Sequence, residues 1–157
     1  MSQAFSDEWA ADVQTRLAKG FTKEDREGRL PDYWDWIDTA SSTFTGVLAL
    51  GALPVKGAEL TEGEFVTIQI TAGAVTKVHR ASLAEAKAAD YLLTGTYESW
   101  EKFLGGYDAA RTVMYRLVQL SHGNILGFFN RIYYWIQLLT LLHQVPSTVV
   151  KPAKVAA

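Results

Sequence analysis

His79, His122 and His143 are the only histidines in the chain, and imidazole is the one side chain that both titrates near neutrality and readily ligates metals. They fall on a hairpin strand, at a strand end and at the end of a helix. Their spacing matches no metal-ligand motif, so each is expected in a structural or solvent-facing role. The segment Tyr33-Trp34-Asp35-Trp36-Ile37-Asp38 puts two carboxylates three residues apart among three aromatic residues. It reads either as an aromatic lip around a cavity, with Asp35 or Asp38 as a polar contact, or as an aromatic cap on the core with the aspartates facing water. The second is preferred, because a carboxylate pair on a surface turn needs no further cause. Cysteine is absent, which removes thiolate ligands, a thiol nucleophile and disulfides. No nucleophile elbow and no phosphate loop is present, and Gly105-Gly106 reads as a helix stop. No catalytic residue, metal or cofactor is expected.

The composition bounds the partners. A net charge of −2 from 15 basic and 17 acidic residues, with no basic block, leaves phosphate-backbone binding nothing to work with, so no nucleic-acid partner is expected. With 157 residues, 48% of them hydrophobic, the chain suits one domain with one core. That domain is expected over residues 1–145, with an N-terminal helix and aromatic lid segment in 1–41 and a loose tail in 146–157. The polar first 20 residues lack the apolar core of a signal peptide, which makes the cytoplasm the expected location.

The elements that must position any site centre on residues 125–142. On a helical wheel Ile125, Phe128, Phe129, Ile132, Trp135, Ile136 and Leu139 form one apolar stripe, and the opposite side still carries Leu126, Tyr133, Tyr134, Leu138, Leu141 and Leu142. A helix apolar on both sides must be covered on both, by a sheet on one and by lipid, a partner chain or a ligand cavity on the other. Arg131 makes a membrane span costly. Tyr134, Leu138 and Leu141 would serve docking on a second copy or a larger enzyme. Upstream, Ser6 is expected to cap a helix over 7–19, and 42–50 to form a strand with Gly46 at a bulge or close approach. Residues 65–71 and 74–80 should form a hairpin about Ala72-Gly73, and Ser82 should cap a short helix. Residues 89–96 read as a strand, followed by helices Tyr97–Leu104 and Ala109–Met114 capped by Thr96 and Asp108, and by a strand over 115–121. Trp100, Phe103, Tyr107, Met114 and Tyr115 either line a cavity or fill the core.

The run Ala89-Asp90-Tyr91-Leu92-Leu93-Thr94-Gly95-Thr96-Tyr97-Glu98-Ser99-Trp100, followed by Phe103-Leu104-Gly105-Gly106, Asp108-Ala109-Ala110 and a strand ending at Gly123-Asn124, resembles the sterol carrier protein 2 (SCP2-like) lipid-binding domain family. The resemblance is best over residues 64–136. It departs at Tyr115, where the family often has glycine, and in the aromatic content of the last helix. It implies an α+β fold, a mainly antiparallel sheet of about five strands covered by helices on one face, enclosing an apolar tunnel for a fatty acyl chain, sterol or similar lipid. Trp100, Phe103, Leu104, Met114, Gln119, Phe128, Phe129, Ile132, Tyr133 and Ile136 are the expected ligand-binding residues. The expected function is noncatalytic binding and transfer of a hydrophobic ligand, with transient membrane contact. Two alternatives stay open: a cofactor-independent isomerase or cyclase acting on a polycyclic substrate, and a subunit docking through its C-terminal helix.

Overall fold

The computed structural model describes residues 1–151. It opens with a two-residue strand, β1 (Ser2–Gln3). The Ser6 hydroxyl then accepts the Trp9 amide and starts α1 (Asp7–Leu17), whose Trp9, Val13 and Leu17 are buried. Pro31, at the first helical position where its missing N–H costs nothing, begins α2 (Pro31–Ser42). The aromatic segment expected as a cap or lip is therefore helical, with Trp34 and Ile37 buried and Trp36 exposed.

Strand β2 (Gly46–Leu53) begins later than the expected 42–50. Gly46 is a close approach: a side chain there would collide with the Asp90 carboxylate, which accepts the Val47 amide at 2.8 Å. Strands β3 (Glu64–Thr71) and β4 (Ala74–Ala81) form the expected hairpin, with Ala72 and Gly73 at φ 47° and 81°. These are the positive dihedrals that a tight hairpin turn requires. Ser82 and Glu85 make a reciprocal capping box for α3 (Leu83–Ala88). Next come β5 (Tyr91–Thr96), α4 (Tyr97–Leu104) and α5 (Ala109–Met114), the helices capped by Thr96 and Asp108, and then β6 (Val118–His122).

The continuous helix expected over 125–142 is broken. It is divided into α6 (Ile125–Phe129), α7 (Ile132–Thr140) and a 3-10 turn, Leu141–Gln144. The interruption is at Asn130 and Arg131, where Arg131 leaves helical geometry at φ −119°, ψ 26°. Its guanidinium is pulled away to Ala40 O (3.0 Å) and Thr43 Oγ1 (3.1 Å) and lies over the Phe44 ring. The expected loose tail begins with structure, since β7 (Ser147–Thr148) pairs in parallel with β1. Residues 152–157 of that tail lie outside the described residues.

The main sheet has five strands in the order β4-β3-β2-β5-β6, antiparallel except for β2 with β5. Strand alternation sorts its side chains. Leu48, Leu50, Val66, Ile68, Ile70, Tyr91 and Leu93 face the principal core under α1, α2, α4 and α7. Ala49, Phe65 and Leu92 face the other way and are covered by Ala86 of α3 and by Ala89 just after it. The edge strand β4 is shielded by α1, whose Gln14 side chain accepts the Val78 amide at 2.9 Å. Trp135 anchors the core beside β5. It stacks parallel on Phe128 at 5.7 Å, meets Phe44 and Tyr91 edge-on, and donates its indole N–H to Phe128 O. Among the described residues no helix is long and apolar enough to cross a membrane.

Candidate functional site

The opposite edge of the sheet, β6, carries an apolar cleft. Val118 and Leu120, the residues of β6 on its helix side, form the floor. Ala110, Val113 and Met114 of α5 make one wall, and Ile125, Phe128, Phe129, Ile132 and Ile136 of α6 and α7 make the other. Three local devices hold these walls apart. Asp108 caps and orients α5 through the Arg111 amide. Gly123, at φ 117°, turns the chain where any side chain would strike the Asp90 carbonyl, and Asn124 then caps α6 through the Gly127 amide. The Arg131 corner swings α6 out of line with α7.

The cleft encloses about 550 Å³, within the range of small-molecule sites. Ten of its twelve lining residues are apolar, and Arg116 and Gln119 are the polar pair. Its mouth is ringed by exposed apolar side chains: Ile125 is 60% exposed, Met114 73% and Phe129 48%. Just outside lie Leu126 and Tyr115, also exposed.

Six of the ten expected ligand-binding residues are brought together in this cleft: Met114, Gln119, Phe128, Phe129, Ile132 and Ile136. The other four lie elsewhere. Trp100 is buried under the sheet and donates to Gly51 O at 2.9 Å, while Phe103 is buried against Trp100 and the His143 ring. Leu104 packs at the margin of the core. Tyr133 points away from the cleft into a surface aromatic cluster with Tyr33 and Trp36, beside the Gln137 to Tyr33 hydrogen bond. The cleft also takes in Ala110, Val113, Val118, Leu120, Ile125 and Arg116, which sequence reasoning missed. The alternation Val118–Leu120 was the available signal for the floor.

A second, more polar pocket of about 390 Å³ lies at the same end of the sheet. It is lined by the 54–57 loop with Lys56, by Thr94 and Thr96 of β5, by Glu98 and Ser99 of α4, and again by Arg116 and Gln119.

Two of the titratable groups expected to be structural, His79 and Asp38, have partners away from the cleft, whereas among the described residues His143 Nε2 is buried without a hydrogen-bond partner. His79 contacts Thr67 Oγ1 at 3.1 Å and the Arg80 carbonyl, and Asp38 forms a forked pair with Arg26. Burial, reinforced by the hydrogen bond to Glu64, pushes the Tyr97 phenol well above its ordinary range, and burial alone does the same to Tyr134, which donates to Gly73 O. Neither lines the cleft. Among the described residues no group of three or more His, Cys, Asp or Glu side chains could hold a metal ion.

An α+β chain with this five-stranded sheet, helices gathered chiefly on one face and an apolar cleft at the sheet edge has the SCP2-like fold. It superimposes on a crystal structure of sterol carrier protein 2 with a TM-score of 0.66 at 20% identity, over 92% of this chain and 100% of that one. A solution structure of a conserved hypothetical protein from Thermus thermophilus matches with a TM-score of 0.63 at 20% identity, over 94% of this chain and 93% of that one. No protein-family model and no curated protein matches the sequence.

Proposed function

We propose that the chain binds a hydrophobic ligand, a fatty acyl chain or similar lipid, in the cleft between β6, α5, α6 and α7, and carries it without chemical change. The observation behind this reading is the open apolar cleft itself, with ten apolar lining residues and exposed apolar side chains at its mouth. At about 0.8 kcal/mol per buried methylene, eight methylenes contribute about 6 kcal/mol, enough for useful affinity without a single ionic contact. The lining favours carriage over acid/base chemistry, because it presents no carboxylate, imidazole or phenol. The SCP2-like fold supports lipid binding in general terms.

The exposed ring at the mouth suits transient contact with a membrane during loading. Docking of a partner or second copy on the C-terminal helix would have to use exposed residues such as Phe129 and Tyr133, with Trp36 of α2 beside Tyr133. Tyr134, Leu138 and Leu141, the residues expected to serve it, are buried in the core.

The test is delipidation followed by titration with a fluorescent fatty acid, paired with mass spectrometry of lipid that copurifies. Saturable binding that weakens in Ile132→Asp supports the cleft. Absence of binding across fatty acids, sterols and phospholipids removes it.

A further inference from the structure

An acyl ligand brings a head group, and the apolar cleft offers it only Arg116 and Gln119. These same two residues also line the polar 390 Å³ pocket, so the two spaces border each other at the Arg116–Gln119 stretch. Arg116 stands at the junction. It is exposed, it occupies the left-handed region at φ 58°, and it forms no ion pair or side-chain hydrogen bond among the described residues. Lys56, on the facing loop, is likewise without an acidic partner among the described residues, and it supplies a second cation to the same pocket. Glu98 is the one carboxylate in the lining. Thr96 already uses its hydroxyl to cap α4 through the Ser99 amide, so the two basic side chains, rather than the helix end, distinguish this pocket.

Resting on the proposed function, we infer that Arg116 and Lys56 form a head-group subsite for an anionic amphiphile, whose carboxylate or phosphate sits in the polar pocket while its chain lies in the apolar cleft. Charge-assisted bonds from a guanidinium are directional and about twice as strong as neutral ones. A second cation within the same pocket adds attraction that depends on salt. Arg116 is then the residue that sets specificity for charged over uncharged lipid, and a sterol hydroxyl or fatty alcohol forgoes this gain.

The experiment is displacement of a neutral fluorescent probe, pyrenedecanol, from the delipidated protein by oleate, by 1-oleoyl lysophosphatidate and by oleyl alcohol. Wild type, Arg116→Gln and Lys56→Gln are compared, with thermal melts confirming that each variant is folded. In the wild type at least one anion should bind about tenfold or more tightly than the alcohol, a gap that both variants narrow, with alcohol affinity unchanged in Lys56→Gln, since Lys56 lines only the polar pocket. Raising salt from about 0.1 to about 1 M should narrow the same gap. A preference confined to oleate or to lysophosphatidate supports the subsite and names its head group. Equal binding of all three probes, or variants that weaken the alcohol as much as the anions, overturns the subsite and leaves the cleft standing. If neither pyrenedecanol nor any of the three lipids binds, the cleft reading fails and takes the subsite with it.

Discussion

Phe128 and Phe129 are adjacent in sequence and differ sharply in environment. Phe128 is 1% exposed, stacked on Trp135 and edge-on to Tyr91, whereas Phe129 is half exposed at the mouth of the cleft. Both line the cleft, Phe128 as part of its back wall. Truncation should separate them. Phe128→Ala removes a ring from a close-packed aromatic cluster and should cost about 3–5 kcal/mol. Phe129→Ala deletes a ring already half in water and should cost about 1 kcal/mol while weakening lipid binding. Chemical denaturation of the delipidated variants, with lipid titration alongside, checks both. A loss of several kcal/mol in Phe129→Ala that lipid does not modulate would assign that residue to the core.

At the scale of elements, the corner between α6 and α7 depends on contacts that Arg131 makes with a distant part of the chain, Ala40 and Thr43. Arg131→Ala should cost about 1.5–3 kcal/mol through loss of hydrogen bonds from a charged donor, and should weaken lipid binding by releasing one wall of the cleft. Arg131→Lys should restore little, since an ammonium cannot reproduce the planar fork. Urea unfolding of the three proteins tests this. The same corner shows why only part of the architecture was legible beforehand. Caps and turns are short-range chemistry, so Ser6, Ser82, Thr96, Asp108 and the Ala72-Gly73 turn could be read directly from neighbouring residues. Helix α2 was missed because Leu30 offers no side-chain cap and its aromatic density resembles a surface cluster. The helical wheel over 125–142 assumed an unbroken 100° per residue. Ile132 and Ile136 keep the cleft side that the wheel gives them despite the interruption, and Tyr133, which the wheel puts on the opposite side, joins the cluster with Tyr33 and Trp36. Lys56 and Arg116, which line one polar pocket, are far apart in sequence, and no local pattern announces that they share it.

Across the whole molecule, one carboxylate ties the two halves of the chain together. Asp25 accepts from Arg16 at 2.5 Å, from the Thr22 amide at 2.7 Å and from the Gln144 side chain at 2.8 Å, joining α1, the loop after it and the C-terminal 3-10 turn. Burial opposes its ionisation, but the hydrogen bonds from Gln144, Thr22 and Arg16 outweigh that and lower its pKa from 3.8 to about 2. A depressed carboxylate stabilises the fold fully above its unfolded pKa, and that contribution fades as pH falls through the folded value. Asp25→Asn should therefore be about 2.5 kcal/mol less stable than wild type at neutral pH. The difference in melting temperature between the two should shrink as pH falls from about 4 to about 2. The pairing of β1 with β7 has a further consequence. Ser2 stands opposite Ser147, Gln3 opposite Thr148, and the Trp9 indole donates to Ser147 Oγ, so β1 and β7 lie about one strand spacing, roughly 4.8 Å, apart and clasp residues 2–148 into a loop. Opening the backbone after Gly28, where a side chain would meet nothing within 4 Å, should therefore leave the two fragments associated, because β1 and α1 on the first are still held by β7 and β4 on the second.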